Sequence, residues 1–326
     1  MYNTIHKNHS RQKIRTMSKY RIRFFSSFCD SENCKNVYER LCQVDLMDNY
    51  GIDKEIYITS GNDYTHAILM NTPMPYDMNI PKQNVVGIAF EPPTFLMRDG
   101  DFARFIEYAK NHVSKYCIGS LALCAFEMPP KGVLMNGTTE YNPVLPLPFV
   151  QEYSFMWHIT PPRILAQKKS IMSIMVSQKS QAPGHIYRHA LVKEILKTNL
   201  AIDIYGRGSV YYSYMNDTRV KGEFVNDEPY ESYHFHICIE NFQTQSYVSE
   251  KYTNTILWGT TPIYWGATHI DSIFPNITIP LSGNVERDMR MLADIIQYPL
   301  QYKKEFLQDE IRPKLNILKN LDTLFS

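Results

Sequence analysis

Two cations and one carboxylate stand where their surroundings suit them to chemistry on an anion. Lys251 ends the run 247–251 (YVSEK), at the head of a segment in which Val248, Tyr252 and Ile256 recur at helical spacing. Arg188 lies near the start of a second helical pattern, 186–197. A first helical turn carries unpaired N–H groups and the positive end of the helix dipole, about half a unit charge, so a phosphate or pyrophosphate is the ligand such an end suits. Lys251 and Arg188 each add a full charge. The plain alternative, and the one residue type alone favours, is that both cations sit on the solvated face of an ordinary helix. The carboxylate is Glu91, which closes the apolar run 85–90 and precedes Pro92. A following proline confines Glu91 to extended backbone, so its carboxylate is held at a strand end, where a general base is useful. Phe126-Glu127-Met128-Pro129-Pro130 nearly repeats the same phrase, so Glu127 is a rival. A solvated glutamate in a turn is the alternative for both.

Other patterns point to chemistry less well. Asp99-Gly100-Asp101 spells a DxD, but it precedes an amphipathic pattern and reads as helix capping. His234, His236, Cys238 and Glu240 share one face of a strand with neighbours about 7 Å apart, near enough for two of them to share a zinc. In a covered sheet such a face reads as packed polar core, so no metal is expected. The six cysteines include no CxxC pair and read as reduced thiols. Gly206-Arg207-Gly208 follows a strand but falls short of a GxGxxG nucleotide loop. Trp258 and Trp265 read as core.

The elements that position these residues can be placed from periodicity. Residues 234–239 alternate Phe and Ile with His and Cys and predict a half-buried strand; the segment from Tyr247 predicts a helix ended by Gly259; and 261–265 predicts the next strand. The unit is βαβ. A similar strand, helix and strand are expected at 170–176, 186–197 and 201–205. In the first half, strands are expected at 20–25, 56–58, 67–70, 85–90 and 116–118, with helices at 37–46 and around 102–109. Seven prolines between 128 and 162 argue against a core element and place a domain passage near residue 160. Residues 286–326 read as amphipathic helices. The expected fold is α/β: a basic leader over 1–19, an α/β domain over 20–160, a Rossmann-like domain over 161–285, and C-terminal helices over 286–326. Ligands of such sheets sit beyond the strands' carboxyl ends.

Glu240-Asn241, then 247–251, then 261–266 (TPIYWG) together resemble the signature of the α-1,3/1,4-fucosyltransferases, glycosyltransferase family 10. The resemblance implies a GT-B architecture, two Rossmann-like domains facing a cleft with a terminal helix returning to the first, the domain over 20–160 binding the acceptor and that over 161–285 the nucleotide-sugar donor. It implies an inverting, metal-independent enzyme that moves L-fucose from GDP-fucose to a hydroxyl of an acceptor glycan, α-1,3-type linkage being expected, with no cofactor beyond the donor substrate. By the family's pattern Asn241, Tyr247, Glu250 and Lys251 bind the donor, with Glu250 suited to ribose hydroxyls because a carboxylate accepts two hydrogen bonds. Ser177-Gln178…Arg188 resembles the diphosphate-binding arginine region, Tyr205 and Gly206 resemble a turn beside the guanosine, and Glu91 resembles the family's presumed base. The alternatives are a GT-B transferase using another nucleotide sugar and a non-catalytic carbohydrate-binding descendant.

Composition narrows the classes. The 326 residues, 44% hydrophobic and 21% charged, describe a folded chain rather than a disordered one. The net charge of +1 conceals an asymmetry, since Lys7 to Arg23 contribute seven bases before the first acid, Asp30. Such a start can touch nucleic acid, but a disordered leader is the simpler reading, and no nucleic-acid partner is expected. No stretch approaches the roughly 18 apolar residues of a membrane span. Animal members of the family are type II Golgi membrane proteins, whereas this chain resembles the soluble bacterial or viral kind, with a cytoplasmic location expected. Oligomeric state is left open.

Overall fold

The computed structural model describes residues 18–45, 48–96, 101–118, 121–123, 144–146, 165, 167–225 and 227–326. Two sheets organise them. The first contains β1 (Tyr20–Ser26), β2 (Ile56–Ile58), β3 (His66–Met70), β4 (Val85–Ile88), β5 (Lys115–Ile118), β6 (Leu121–Leu123) and β7 (Val144–Pro146), in the order β2-β1-β3-β4-β5-β6-β7. Its first five members are parallel, and β6 and β7 add antiparallel. The second contains β8 (Ser170–Met175), β9 (Ile202–Tyr205), β10 (Val220–Gly222), β11 (Tyr233–Ile239), β12 (Thr261–Trp265) and β13 (Ile279–Pro280), all parallel, in the order β10-β9-β8-β11-β12-β13. Both are doubly wound α/β sheets, and in each the strand order reverses at one point: between β1 and β3 in the first, between β8 and β11 in the second. At such a point the loops leave in opposite directions and open a crevice at the strands' carboxyl ends.

Apolar residues on both faces of each sheet build the cores. Helix Asp101–His112 covers one face of the first sheet with Phe102, Phe105, Ile106 and Ala109, all buried. Helix Pro183–Leu196 covers the second with Leu191, Val192 and Ile195. A further apolar cluster runs through the whole molecule. It joins Ile22, Phe24 and Ile68 of the first sheet to Tyr252 and Ile256 of helix Glu250–Leu257 and to Leu315, Leu318 and Leu324 near the C-terminus. The C-terminal segment therefore crosses back onto the first sheet, where Phe325 meets Tyr20 and His66 at ring distances of 6.0 and 4.6 Å. The Nζ of Lys115 donates to the carbonyl of Ser326 at 2.9 Å.

Several expectations need correction. The helix expected from Tyr247 starts at Glu250. Tyr247 N–H donates instead to Thr244 Oγ1 at 2.9 Å and Ser249 N–H to the Glu240 carboxylate at 2.8 Å, so residues 244–249 form a loop wound around Glu240. Helical geometry begins only where Ser249 caps it. Strand β11, expected to be half-buried, is covered on both faces: His236 Nδ1 meets Ser173 Oγ at 2.7 Å and Cys238 Sγ meets Thr255 Oγ1 at 3.1 Å. A central parallel strand has helices on either side, so its polar alternates find partners rather than water. One piece of the proline-rich passage is the strand β7, whose Pro146 pairs at the sheet's edge, where a missing N–H is tolerated. The C-terminal helical pattern is broken into Val285–Gln297 and shorter pieces, with Pro299 opening one and Pro313 inside another.

Candidate functional site

A cleft of about 790 Å³ lies between the two sheets, at the carboxyl ends of both sets of strands. The first sheet contributes Phe28 after β1, Asn71 after β3, and Phe90 and Glu91 after β4. The second contributes Ser177 and Lys179 after β8, Gly206 and Arg207 after β9, and Asn241 after β11. Phe28 and Asn71 flank one strand-order reversal and Ser177 and Asn241 the other, so the two crevices open onto a single space.

Glu240 organises the wall built by the second sheet. It is wholly buried, and its two carboxylate oxygens accept from Ser249 N–H at 2.8 Å and Ser249 Oγ at 2.6 Å. Lys251 Nζ stands 3.6 Å from Glu240 and 2.9 Å from Glu250. Burial disfavours charge on both members of the Lys251–Glu250 pair, but their mutual attraction outweighs it, holding the Glu250 carboxyl below its ordinary range and the Lys251 ammonium above its own. Both line the cleft as ions. Two glycines allow this packing. A Cβ on Gly184 would fall on the Glu240 carbonyl oxygen, and one on Gly266 would strike the Glu240 side chain and the Tyr264 hydroxyl.

Arg188 stands differently. Its side chain is buried in the second turn of helix Pro183–Leu196, and one terminal nitrogen donates to the Ile239 carbonyl at 2.7 Å and to Asn241 Oδ1 at 3.2 Å. Burial lowers its pKa to about 10, which leaves it cationic at neutral pH. Its hydrogen-bond acceptors among the described residues are neutral, and its Nε has no partner there. Lys251 already faces two carboxylates, so Arg188 is the cation more available to an arriving anion. His185, in the first turn of the same helix, also lines the cleft. Burial, followed by the Arg188 charge, lowers its pKa to about 4, so it is neutral, with Nδ1 accepting from Ala182 N–H at 3.2 Å.

Glu91 opens into the cleft from the opposite side. Crowding by protein raises its carboxyl pKa, Lys251 pulls it down, and the net direction is upward. Its backbone is braced by its neighbours. Phe90 N–H donates to Asn71 Oδ1 at 2.7 Å, with Asn71 itself at φ 64°, a left-handed conformation asparagine tolerates. The Phe90 carbonyl accepts from Tyr247 Oη at 2.7 Å. Tyr247 thus reaches across from the second domain to hold the residue next to Glu91, while also lining the cleft. Ser246 Oγ makes a parallel bond to the Ile118 carbonyl at 2.9 Å.

The structure therefore brings Glu91, Arg188, Asn241, Tyr247, Glu250, Lys251 and Gly206 to one cleft. Gly206 takes φ 98°, and its missing side chain lets the loop pass against the Val176 carbonyl. Tyr205 is not among the lining residues; its hydroxyl pairs with that of Tyr233 at 2.9 Å. Glu127, Asp99 and Gly100 lie outside the described residues. His236 and Cys238 also line the cleft from β11, held in the pairings given above, and burial lowers the His236 pKa to about 3. Sequence reasoning missed three contributors. Glu240 is legible as part of a motif, yet its hold on Ser249 and the loop before the helix needs the tertiary fold. His185 and Asn71 carried no sequence signal beyond lying next to a predicted helix and after a predicted strand.

Residues 165–280 match the model of the C-terminal domain of glycosyltransferase family 10 (fucosyltransferase). Among solved structures the chain is similar to an alpha1,3-fucosyltransferase, with 16% identity, 99% of this chain and 93% of that one covered, and a TM-score of 0.48. It is also similar to an alpha1,3-fucosyltransferase with GDP (16% identity, 99% and 93% covered, TM-score 0.46) and to one with GDP-fucose (15%, 99% and 94%, 0.42). The family match begins just before β8 and ends at β13, so it takes in every strand of the second sheet and the cleft wall that this sheet builds. Over residues 165–280 the chain is therefore similar to the C-terminal domain of the fucosyltransferases of glycosyltransferase family 10.

Proposed function

We propose that the protein transfers L-fucose from GDP-fucose to a hydroxyl of an acceptor glycan, with inversion and an α-1,3-type linkage. The observation that carries this reading is the placement of Arg188 and Glu91 on opposite walls of one cleft. The diphosphate of the donor docks against Arg188 and the loop ends after β8 and β11, with Lys251 adding positive charge and Glu250 accepting from ribose hydroxyls. Gly206 lets the nucleotide approach the backbone after β9. The acceptor enters from the side of the first domain.

Glu91 takes the proton of the acceptor hydroxyl as that oxygen attacks the anomeric carbon. The new C–O bond forms on the face opposite the departing oxygen, and GDP leaves with the electrons of the broken bond. Arg188 and Lys251 stabilise the negative charge that develops on the leaving diphosphate, a contribution that grows along the reaction and so lowers the barrier. A base with a raised pKa is also a stronger proton acceptor, provided the solution pH keeps it ionised.

The test is turnover and binding across a panel of nucleotide sugars. GDP-fucose is expected to be consumed in the presence of a glycan acceptor, and GDP to bind with micromolar to millimolar affinity. Turnover confined to another nucleotide sugar would reject the donor assignment. Tight glycan binding without turnover of any donor would reject catalysis.

A further inference from the structure

We propose that Cys29 and Cys34 are a disulfide-forming pair, a modification site for two-electron oxidants such as hydrogen peroxide. Cys29 lies in the loop after β1 and is partly exposed, whereas Cys34 is wholly buried in the first turns of helix Ser31–Asp45. Their sulfurs are 3.2 Å apart. A disulfide bond is about 2.04 Å long, so closure needs a movement of only about 1.2 Å. The Cys34 N–H donates to the Asp30 carbonyl at 3.1 Å, which fixes the turn between the two residues. On its other side Cys34 Sγ meets Met70 Sδ at 3.8 Å, an apolar backing that leaves Cys29 as its nearest reactive neighbour. Neither of the other free cysteines described, Cys117 and Cys238, is accessible: both are buried in β5 and β11.

The two thiols have different roles. Cys29 meets the oxidant, because it is the one that solvent reaches. Its thiol releases a proton, its sulfur attacks one peroxide oxygen, the S–O bond forms, and the O–O bond breaks. The departing hydroxide takes up the proton and leaves as water, so Cys29 becomes a sulfenic acid. The sulfur of Cys34 then attacks that of Cys29. The S–S bond forms, the S–O bond breaks, and hydroxide leaves as a second water with the Cys34 proton. Two thiols are oxidised and one peroxide is reduced. Burial pushes the Cys34 thiol well up, which makes it a poor first attacker, and the contact distance to Cys29 is what fits it to the resolving role. Phe28, adjacent in the chain, lines the cleft and meets Phe90 edge-on at 6.0 Å, so closing the pair shifts a wall of the site as well.

Peptide mapping tests this without reference to turnover. Trypsin cuts after Arg23 and Lys35, releasing residues 24–35 with both cysteines and no others. The folded full-length protein is treated with peroxide, then denatured in excess iodoacetamide and digested. The expected main form of the peptide is lighter by two hydrogens, carries no alkyl group, and regains two alkylation sites after dithiothreitol. In Cys34→Ser the sulfenic acid at Cys29 is expected to persist and react with dimedone, while the wild type gives little such adduct. A peptide that still takes up two alkyl groups, a Cys29 that goes to sulfinic acid beside an alkylated Cys34, or a cross-link from Cys29 to another peptide would overturn the proposal.

Discussion

Glu91 shows how a single carboxylate is prepared by its surroundings. It stands three residues beyond β4 with a proline after it, Asn71 and Tyr247 brace Phe90 beside it, and burial raises its pKa against the pull of Lys251. If it is the base, Glu91→Gln should lower kcat by roughly 100-fold or more while GDP binding changes little. The pH profile provides a second check. A base must be ionised, so activity falls as pH drops through its pKa, and an upward shift places that acid limb above the ordinary carboxylate range. In Glu91→Gln the limb should disappear from the residual rate. A variant with full activity, or with the same limb, would remove Glu91 from the chemistry and leave Glu127 as the candidate. On the other wall, Arg188 is buried beside neutral acceptors, so its charge is available to a diphosphate. Arg188→Met should weaken GDP binding by about 1.5–3 kcal/mol, roughly 10- to 150-fold in Kd, measured by calorimetry on the folded variant. An unchanged Kd would show that the diphosphate lies elsewhere.

At the scale of elements, the site depends on how closely one helix meets one strand. The amino end of helix Pro183–Leu196 docks on the end of β11 through Gly184, whose N–H donates to the Asn241 carbonyl at 3.0 Å. A Cβ there would fall on the Glu240 carbonyl oxygen, which is backbone and cannot turn aside. Gly184→Ala should therefore displace Arg188 and Glu240 together, and the expected result is loss of GDP binding with a lowered melting temperature; wild-type values for both would contradict the packing described. Nothing in the sequence marked Gly184. Its φ is not unusual, and the need for glycine arises only from a strand more than fifty residues away. The strands of both sheets were legible because parallel strands write near-continuous apolar runs, as at 85–88 and 170–175. The start of helix Glu250–Leu257 was not, because YVSEK has helical spacing whether or not its first residues are diverted to a buried carboxylate. Short edge strands such as β10 and β13, of three and two residues, have too little pattern to be read. Lys251 and Arg188 were legible as charged residues near helix starts, but which of them faces carboxylates and which faces neutral oxygens is a property of the fold.

At the scale of the molecule, one apolar cluster joins the two sheets although each also has a core and a crevice of its own. The shared cluster runs from Ile22, Phe24 and Ile68 through Tyr252, Ile256 and Phe274 to Leu315, Leu318 and Leu324. Two domains that bury this much against each other and against a common C-terminal segment lose that burial together, so they should unfold together rather than in turn. Differential scanning calorimetry is therefore expected to give one transition, its calorimetric and van't Hoff enthalpies in agreement. Leu324 provides the sharper check. It is fully buried, it belongs to the last turn of the chain, and it packs in the cluster that includes the first sheet's strands. Leu324→Ala removes three buried carbons and should cost about 2–5 kcal/mol. Because the cluster is shared, that loss should lower the single transition as a whole, and GDP stabilisation of the donor side should raise it as a whole. Two separated peaks, with Leu324→Ala moving one and GDP moving the other, would show that the cleft is framed by independent domains.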